Sequence, residues 1–306
     1  MVVQHEAPSA ITDAGTGQHR RGSARRSSRR PVGQAGPALK AASYVTVAVA
    51  ALATLGPFFY ILTTSLKDSA SLFSYPPNWI PDELFWGNYS RLLTETLFVR
   101  WTVNTLIVAT TVTALKLLFD SMAGYAFAKI DFPAKEPLFI FLLLGLMIPV
   151  SALLIPLFFL VRGMNLLNTY WALILPPLAN PIGILLMRNF IQSLPRDLDN
   201  AARLDGCSEF AIYRRIVVPL VRPPLVVLGV LTFMIQYTSF IWPLVVTSDN
   251  RMNVLTTGLA GQRGVATIDW GAISAGGIMA MIPITIFFLA LQRFFTAGSL
   301  MGALKQ

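Results

Sequence analysis

Residues 195–219 read PRDLDNAARLDGCSEFAIYRRIVVP, a polar and arginine-rich stretch that lies between two long apolar runs. Pro195 favours the start of a short helix, and Asp197 and Asp199 in its first turn suit the positive end of the helix dipole. Gly206 predicts the end of this helix in a left-handed turn. We call residues 195–219 the polar segment.

The polar segment has an ordered internal pattern. Four of its residues recur at helical spacing and are expected on one face: Leu198, Ala201, Ala202 and Asp205. Ser208 can cap a second short helix, which is expected to end before Pro219. A helix of small residues followed by a glycine bend suits docking into the groove of a partner protein.

The composition is that of a membrane protein. The chain is 54% hydrophobic and 13% charged, with a mean hydropathy of +0.60, whereas soluble domains carry about 25% charged residues. A membrane-spanning helix needs about 20 apolar residues. Six stretches reach this length, so an all-α fold with six spans is predicted: 41–63, 102–127, 138–161, 171–189, 225–246 and 271–291.

The distribution of Lys and Arg predicts the orientation. With both termini in the cytoplasm, the cytoplasmic segments hold 17 basic residues and the outer segments hold 6, as the positive-inside rule requires. This bias also accounts for the net charge of +9, so nucleic-acid binding is not needed to explain it. Residues 1–40 form a basic, apolar-poor tail that is expected to be disordered. This tail is expected either to set the topology of the chain or to touch anionic membrane lipid. Residues 41–306 form the transmembrane domain.

The sequence offers no pattern typical of an enzyme. It has no G-x-x-x-x-G-K-[ST] loop, so this chain is not expected to bind or hydrolyse ATP itself. It shows no metal-ligand cluster, catalytic triad or dinucleotide fingerprint, and we predict neither catalytic residues nor a bound metal or cofactor. Its single cysteine, Cys207, excludes a disulfide within the chain.

The polar segment resembles the EAA motif of permease subunits from ATP-binding-cassette (ABC) importers. The matching positions are Ala201, Ala202, Asp205, Gly206, Ile216 and Pro219. Asn200 stands where the family usually has Glu, which keeps a hydrogen-bonding side chain but loses the charge. The resemblance implies that Asn200 and the motif residues dock on an ATPase subunit and transmit its closure to the helices.

Further pieces of the chain, in order and spacing, are similar to the carbohydrate-uptake (maltose-type) branch of this family. They are NYSRLL at 88–93, NTLIVA at 104–109, AGYAFAKIDFPAK at 123–135, LLNTYWALILP at 166–176 and GALK at 302–305. The resemblance implies a type I permease fold in the bacterial inner membrane. It also implies a second permease subunit, two ATPase subunits carrying ATP and Mg²⁺, an external binding protein, and uptake of a sugar, polyol or sugar phosphate.

Two groups of polar residues fall within the predicted spans. Lys116 and Asp120 are four residues apart on one helical face and are expected to face the bundle interior, either as a gate or as a mutually neutralising structural pair. A polar and aromatic patch is a candidate substrate path, and the alternative for each single member is that it joins helices by packing: Asn180, Gln236, Tyr237, Thr238, Ser239 and Trp242.

Two alternatives to sugar import stay open from the sequence. An ABC importer of a non-sugar substrate, such as a peptide or phosphate, would share the EAA motif. An ion-driven secondary transporter would need an intramembrane carboxylate relay, for which Asp120 is the single candidate, and internal repeats, which the sequence does not display.

Overall fold

The computed structural model describes residues 37–68, 72, 79–262 and 269–303. These residues form helices and connections, and none of them lies in a strand. Among these residues, those up to Ala53 belong to one compact unit and those from Thr54 onward to another. The predicted basic tail falls almost entirely outside the described residues.

The helices of the described residues follow one another in chain order. They are α1 (Pro37–Ser65), α2 (Gly87–Glu95), α3 (Phe98–Lys129), α4 (Lys135–Leu146), α5 (Val150–Gly163), α6 (Tyr170–Leu178), α7 (Ile182–Gln192), α8 (Arg196–Leu204), α9 (Glu209–Ile212), α10 (Val218–Leu220), α11 (Arg222–Tyr237), α12 (Ile241–Val246), α13 (Leu255–Gly261) and α14 (Trp270–Ala303). A π-helical turn at Tyr213–Val217 joins α9 to α10, and a 3₁₀ turn lies at Asn250–Met252.

Six membrane spans were predicted, and the described helices can supply that number when bent pairs of helices are included. Three apolar helices of the described residues are long enough to cross a membrane, and there are up to six spans if each of three bent helix pairs is counted as one. The second predicted span is a single helix, α3, although it contains Lys116 and Asp120. The fourth is broken between α6 and α7, which are bent by 44°, where Pro181 interrupts the backbone hydrogen bonding.

Two predicted spans were wrong in detail. The third is not one helix over 138–161, because α4 and α5 meet at a bend of 101°, and Pro149 at the joint has an extended backbone with ψ 132°. The fifth does not continue to residue 246, because α11 ends at Tyr237 and α12 begins at Ile241. Proline and the residue before it disfavour an unbroken helix, which is the physical reason for the first break.

Helix α3 is the axis of the unit that begins at Thr54. Each of three buried apolar clusters contains α3 residues: Tyr125 and Ala128 in the first, Val108 and Val112 in the second, Trp101 in the third. The first cluster joins α3 to α7, to the polar segment and to α11. Because one face of α3 is buried against its neighbours, that face can hold polar residues that a lipid-facing surface could not.

Helices α3 and α7 approach closely because small residues lie at their contact. A side chain at Gly124 would come within 2.7 Å of Met187 and 2.9 Å of the Arg188 backbone nitrogen. A side chain at Gly183 would overlap the Asp120 carboxylate. Small residues allow such close packing of membrane helices, and here they bring the buried charge of α3 against the start of α7.

Candidate coupling site

The first helix of the polar segment, α8, has the predicted ends. Asp199 lies in its first turn and Arg203 in its last, which suits the helix dipole. Gly206 follows it with φ +80°. The Cys207 nitrogen donates to the Ala202 carbonyl at 3.0 Å, and the Gly206 nitrogen donates to the Arg203 carbonyl at 3.0 Å. This pair of bonds is a Schellman motif, so the predicted glycine stop is confirmed.

The second helix of the polar segment begins as predicted but does not end as predicted. The Ser208 hydroxyl accepts a hydrogen bond from the Ala211 nitrogen at 3.3 Å and caps α9. The helical path then continues through a π turn, in which the Val218 nitrogen donates to the Tyr213 carbonyl, into α10. Pro219 therefore lies inside the path. The wider π turn precedes Pro219, which sits in the first turn of α10, where a missing N–H is tolerated.

The faces of α8 differ from the predicted single face. Ala202 is only 6% exposed and belongs to the same cluster as Tyr125 and Met187. Its expected contact with an ATPase subunit is therefore wrong for this conformation, because the side chain packs within its own chain. The opposite face is exposed: Asp197, Asn200, Ala201 and Leu204.

Leu204 is the most prominent side chain of that exposed face. It is 89% exposed, although it is apolar and lies at the end of a well-capped helix. Single exposed apolar residues are common on protein surfaces. This one lies on the face that also carries Asn200 and Ala201, two motif positions, while Asp205 and Gly206 follow it in the connection.

A charged network joins the two short helices. The Arg203 guanidinium donates to Glu209 Oε1 at 2.7 Å, and the Tyr125 hydroxyl donates to Glu209 Oε2 at 2.7 Å. These two donors hold the pKa of the Glu209 carboxyl below its usual range. Arg203 also donates to Asn200 Oδ1 at 3.3 Å, so Asn200 at the usual Glu position interacts with a neighbour on its own helix.

The buried pair within α3 is assembled as its spacing indicates. Lys116 Nζ lies 2.9 Å from Asp120 Oδ2, and both side chains are almost fully buried. Lys116 also donates to the Asn180 backbone carbonyl at 2.7 Å. Asn180 lies in the break between α6 and α7, where its own side chain accepts from the Ile182 nitrogen at 3.0 Å. The pair therefore links α3 to this break.

The predicted substrate-path residues do not form one continuous patch. Tyr237 donates to the Ala280 carbonyl at 2.8 Å and packs in the third cluster. Trp242 donates to the Ala172 carbonyl at 2.9 Å and packs against the second cluster. Both polar atoms are therefore used to join helices. Ser239 lies in the break after α11, where its carbonyl accepts from Thr256 at 2.6 Å.

Two of the other predicted substrate-path residues flank the end of α11. Gln236 is half-buried and Thr238 is exposed. A cavity of about 200 Å³ between α11, α13 and α14 is bordered by Tyr237 and Thr238 and is otherwise mainly apolar. A larger depression of about 480 Å³ lies at the start of α3 and includes Arg100, Asn104 and Tyr170.

Several buried polar contacts were missed in the sequence. Lys129, the last residue of α3, lies 2.7 Å from Asp199 of α8. Asn104 is 1% exposed and binds three partners, donating to the Arg251 and Asn253 carbonyls and accepting from Tyr170. Asn104 opens the NTLIVA stretch and Lys129 lies within AGYAFAKIDFPAK, so their place in family-like stretches was the available signal.

The described residues contain no group of three or more His, Cys, Asp or Glu side chains placed to hold a metal ion. The polar segment is anchored by one face to α3, α7 and α11, and it presents the other face outward.

Comparison with known proteins identifies this arrangement. The family profile described as "Binding-protein-dependent transport system inner membrane component" matches residues 120–298, more than half of the chain. The arabinooligosaccharides transport system permease protein AraQ of Halalkalibacterium halodurans is 36% identical over 252 residues, covering 81% of this chain and 90% of that protein. The sulfoquinovosyl glycerol transport system permease protein SmoH of Agrobacterium fabrum is 31% identical over 264 residues, covering 86% and 93%.

A solved structure shares the fold. A chain from a bacterial ABC transporter involved in the import of the acidic polysaccharide alginate superposes with a TM-score of 0.74 at 22% identity, covering 84% of this chain and 96% of that one. The chain belongs to the family of binding-protein-dependent transport system inner-membrane components. It is a multi-pass membrane protein with the type I permease fold of ABC importers.

Proposed function

We propose that this chain is the permease subunit of an ATP-driven importer for a sugar, a polyol or a sugar phosphate, and that the exposed face of α8 docks on an ATPase subunit. The observation that carries the docking proposal is the two-sided character of α8. Ala202 and Asp199 fix one face to the chain's own helices, while Leu204 and Ala201 project outward.

The chemistry of the outward face suits a protein groove. An exposed leucine can fill an apolar pocket, and the neighbouring Ala201 leaves room for the partner's surface to come close. Asp197, Asn200 and Asp205 surround this apolar centre with polar groups, an arrangement typical of interfaces, which combine an apolar core with a polar rim. The absent Glu charge at Asn200 predicts that apolar contact contributes more here than an ion pair does.

Cysteine crosslinking tests the docking face directly. In a Cys207→Ser background, Leu204→Cys is expected to capture the ATPase subunit in the assembled complex. Ala202→Cys is the matched control on the buried face of the same helix and is expected to give no capture. Capture from residue 202 with none from residue 204 would show that α8 docks by the other face. Cys207 itself packs against the first cluster and is a poorer attachment point.

Glutamate substitutions on the two faces of α8 distinguish a loss of docking from a loss of folding stability. Ala201→Glu is expected to leave the chain inserted and folded but to release the ATPase subunits, because it adds bulk and charge to the contact. Ala202→Glu is expected to destabilise the chain itself, because it forces an unpaired carboxylate into the first cluster, at a cost of several kcal/mol. Co-purification of the ATPase subunits and thermal stability of the isolated chain distinguish the two effects.

The substrate class is proposed from the relatives. Their names cite arabinooligosaccharides, sulfoquinovosyl glycerol and, in a Yersinia pestis relative 28% identical over 263 residues, sn-glycerol 3-phosphate. Competition assays with the binding protein present should use these three compounds against a peptide and inorganic phosphate. Inhibition by one or more of the sugar-type compounds is expected. Inhibition by the peptide or phosphate alone would favour the non-sugar importer.

ATP and Mg²⁺ are proposed to bind the partner ATPase subunits, with a second permease subunit and an external binding protein completing the importer. This chain purified alone is therefore expected to show no ATPase activity above background. An ion-driven transporter is less well supported, because Asp120, its one candidate proton carrier, is paired with Lys116. A proton gradient that sustains uptake without ATP would favour that alternative.

A further inference from the structure

Helix α3 ends on a buried ionic contact with the polar segment. The Lys129 ammonium lies 2.7 Å from Asp199 Oδ2, and the two side chains are 2% and 4% exposed. The same ammonium donates to the Leu194 backbone carbonyl at 2.8 Å. Leu194 lies just beyond α7, and Asp199 lies in the first turn of α8. One side chain therefore holds the ends of three elements together.

Burial makes this contact difficult to open. Removing one partner of a buried ion pair typically costs about 3–5 kcal/mol, because the other charge is left without compensation. The pair between Lys135 and Asp131 provides a contrast nearby: its oxygen–nitrogen distance is 3.5 Å, and Asp131 is 94% exposed. Such exposed pairs contribute about 0–1 kcal/mol. Of the two contacts, the one formed by Lys129 can transmit a displacement of α8.

Two further contacts attach the polar segment to the same part of α3. The Tyr125 hydroxyl donates to Glu209, and the Ser121 and Tyr213 hydroxyls are 2.7 Å apart. Ser121, Tyr125 and Lys129 are spaced by four residues, so they lie on one face of α3 over successive turns. The polar segment is thus joined to α3 along about 12 Å of its length.

The other end of this connection lies deeper in the bundle. Lys116 binds the Asn180 carbonyl in the break between α6 and α7, and it lies 13 residues, or about 20 Å, from Lys129 along α3. Helix α3 has no proline and is unbroken between these points. A displacement applied at Lys129 is therefore carried as a rigid-body movement to the break.

We infer that Lys129 and Asp199 are positioning residues that make the polar segment and α3 move as one body, so that ATPase closure is delivered to the α6–α7 break. This inference rests on the proposed docking of α8 on an ATPase subunit. It adds the internal route by which the docking surface acts on the membrane-embedded helices.

A labelling experiment on the assembled complex tests this route. Ala179, exposed at the break, is replaced by cysteine in a Cys207→Ser background. A water-soluble maleimide then reports its accessibility with and without ATP–Mg²⁺ in a complex with hydrolysis-deficient ATPase subunits. The parent complex is expected to label at different rates in the two states. Lys129→Gln and Asp199→Asn are expected to retain bound ATPase subunits but to lose this difference.

A double variant distinguishes positioning from simple stability. Lys129→Met with Asp199→Leu removes both charges and keeps apolar volume, so assembly and thermal stability are expected to recover. The nucleotide-dependent difference in labelling is expected to stay lost, because the end of α3 is no longer tied to Leu194 and to the first turn of α8 and only the contacts of Ser121 and Tyr125 remain. Asp131→Asn, at the exposed pair, is the control and is expected to behave as the parent.

The outcomes separate this inference from the proposed function. If the double variant regains the labelling difference together with its stability, the pair has only a structural role and the inference is overturned. A parent complex whose labelling does not respond to nucleotide also overturns it. If ATPase subunits assemble with the chain but Leu204→Cys captures none of them, the docking proposal itself is wrong.

Discussion

The buried pair of Lys116 and Asp120 allows a quantitative prediction. Lys116→Ala removes the ammonium from Asp120, at 2.9 Å, and from the Asn180 carbonyl, at 2.7 Å. The carboxylate left behind is expected to cost about 3–5 kcal/mol of stability. The carbonyl that loses its donor adds about 1–3 kcal/mol unless water reaches it.

Two further variants, Asp120→Ala and the double variant with Lys116→Ala, should destabilise the chain less than Lys116→Ala alone. Asp120→Ala leaves the Lys116 ammonium with one acceptor, the Asn180 carbonyl, so its cost is expected at the lower end of about 3–5 kcal/mol. The double variant buries no charge and loses mainly the donor to Asn180, about 1–3 kcal/mol, together with some packing. The loss of the donor to Asn180 is common to both variants, so the double variant should be more stable than Lys116→Ala by about 3 kcal/mol, a factor of about 160 in the unfolding equilibrium.

Equilibrium unfolding of the purified chain in mixed micelles measures all three variants as a double-mutant cycle. Thr110→Ala, at an exposed position on the same helix, is the control and is expected to change stability by less than about 0.5 kcal/mol. Additive effects of the Lys116 and Asp120 changes, within about 0.5 kcal/mol, would refute the reasoning. So would a double variant less stable than Lys116→Ala.

Three further predictions concern the turn, the helix contact and the topology. Gly206→Val should reduce uptake and lower the stability of the chain by about 1–3 kcal/mol, because valine is strained at φ +80°. Gly206→Asn should change uptake and stability little. Equal uptake by the two variants would contradict this prediction. Gly183→Ala should destabilise the chain by about 1–3 kcal/mol by overlapping Asp120, while Gly145→Ala, which meets nothing within 4 Å, should not. Reporters fused after Gly261 and at the C-terminal end should report opposite sides of the membrane.

Local patterns in the sequence were sufficient to predict the class of protein and the two ends of α8. Long apolar runs indicate membrane helices because the bilayer leaves few other ways to satisfy backbone hydrogen bonds. Gly206 indicates a helix stop because glycine adopts positive φ without strain. Lys116 and Asp120 indicate a pair because residues four apart face each other on one helix. Each of these inferences depends on neighbours within a few residues.

Predictions failed where the outcome depended on distant contacts. The spacing of Leu198, Ala201, Ala202 and Asp205 is helical, but spacing alone does not say which direction is covered by the first cluster. Pro219 was expected to end a helix, yet a π turn accommodates it. The fifth span was extended to residue 246 because the apolar run resumes at residues 240–246, beyond the polar residues that precede it.

The sequence by itself determined that this is a multi-pass helical membrane protein with a motif-bearing polar segment, because hydropathy, charge bias and motif spacing are local properties. Only the tertiary structure decided which face of that segment is free and what the other face holds. Lys129 and Asp199 are 70 residues apart in the chain, and the family-like stretch around Lys129 does not indicate which residue it contacts. It exists because α3, α7 and α8 pack into one cluster, where a buried charge needs a partner.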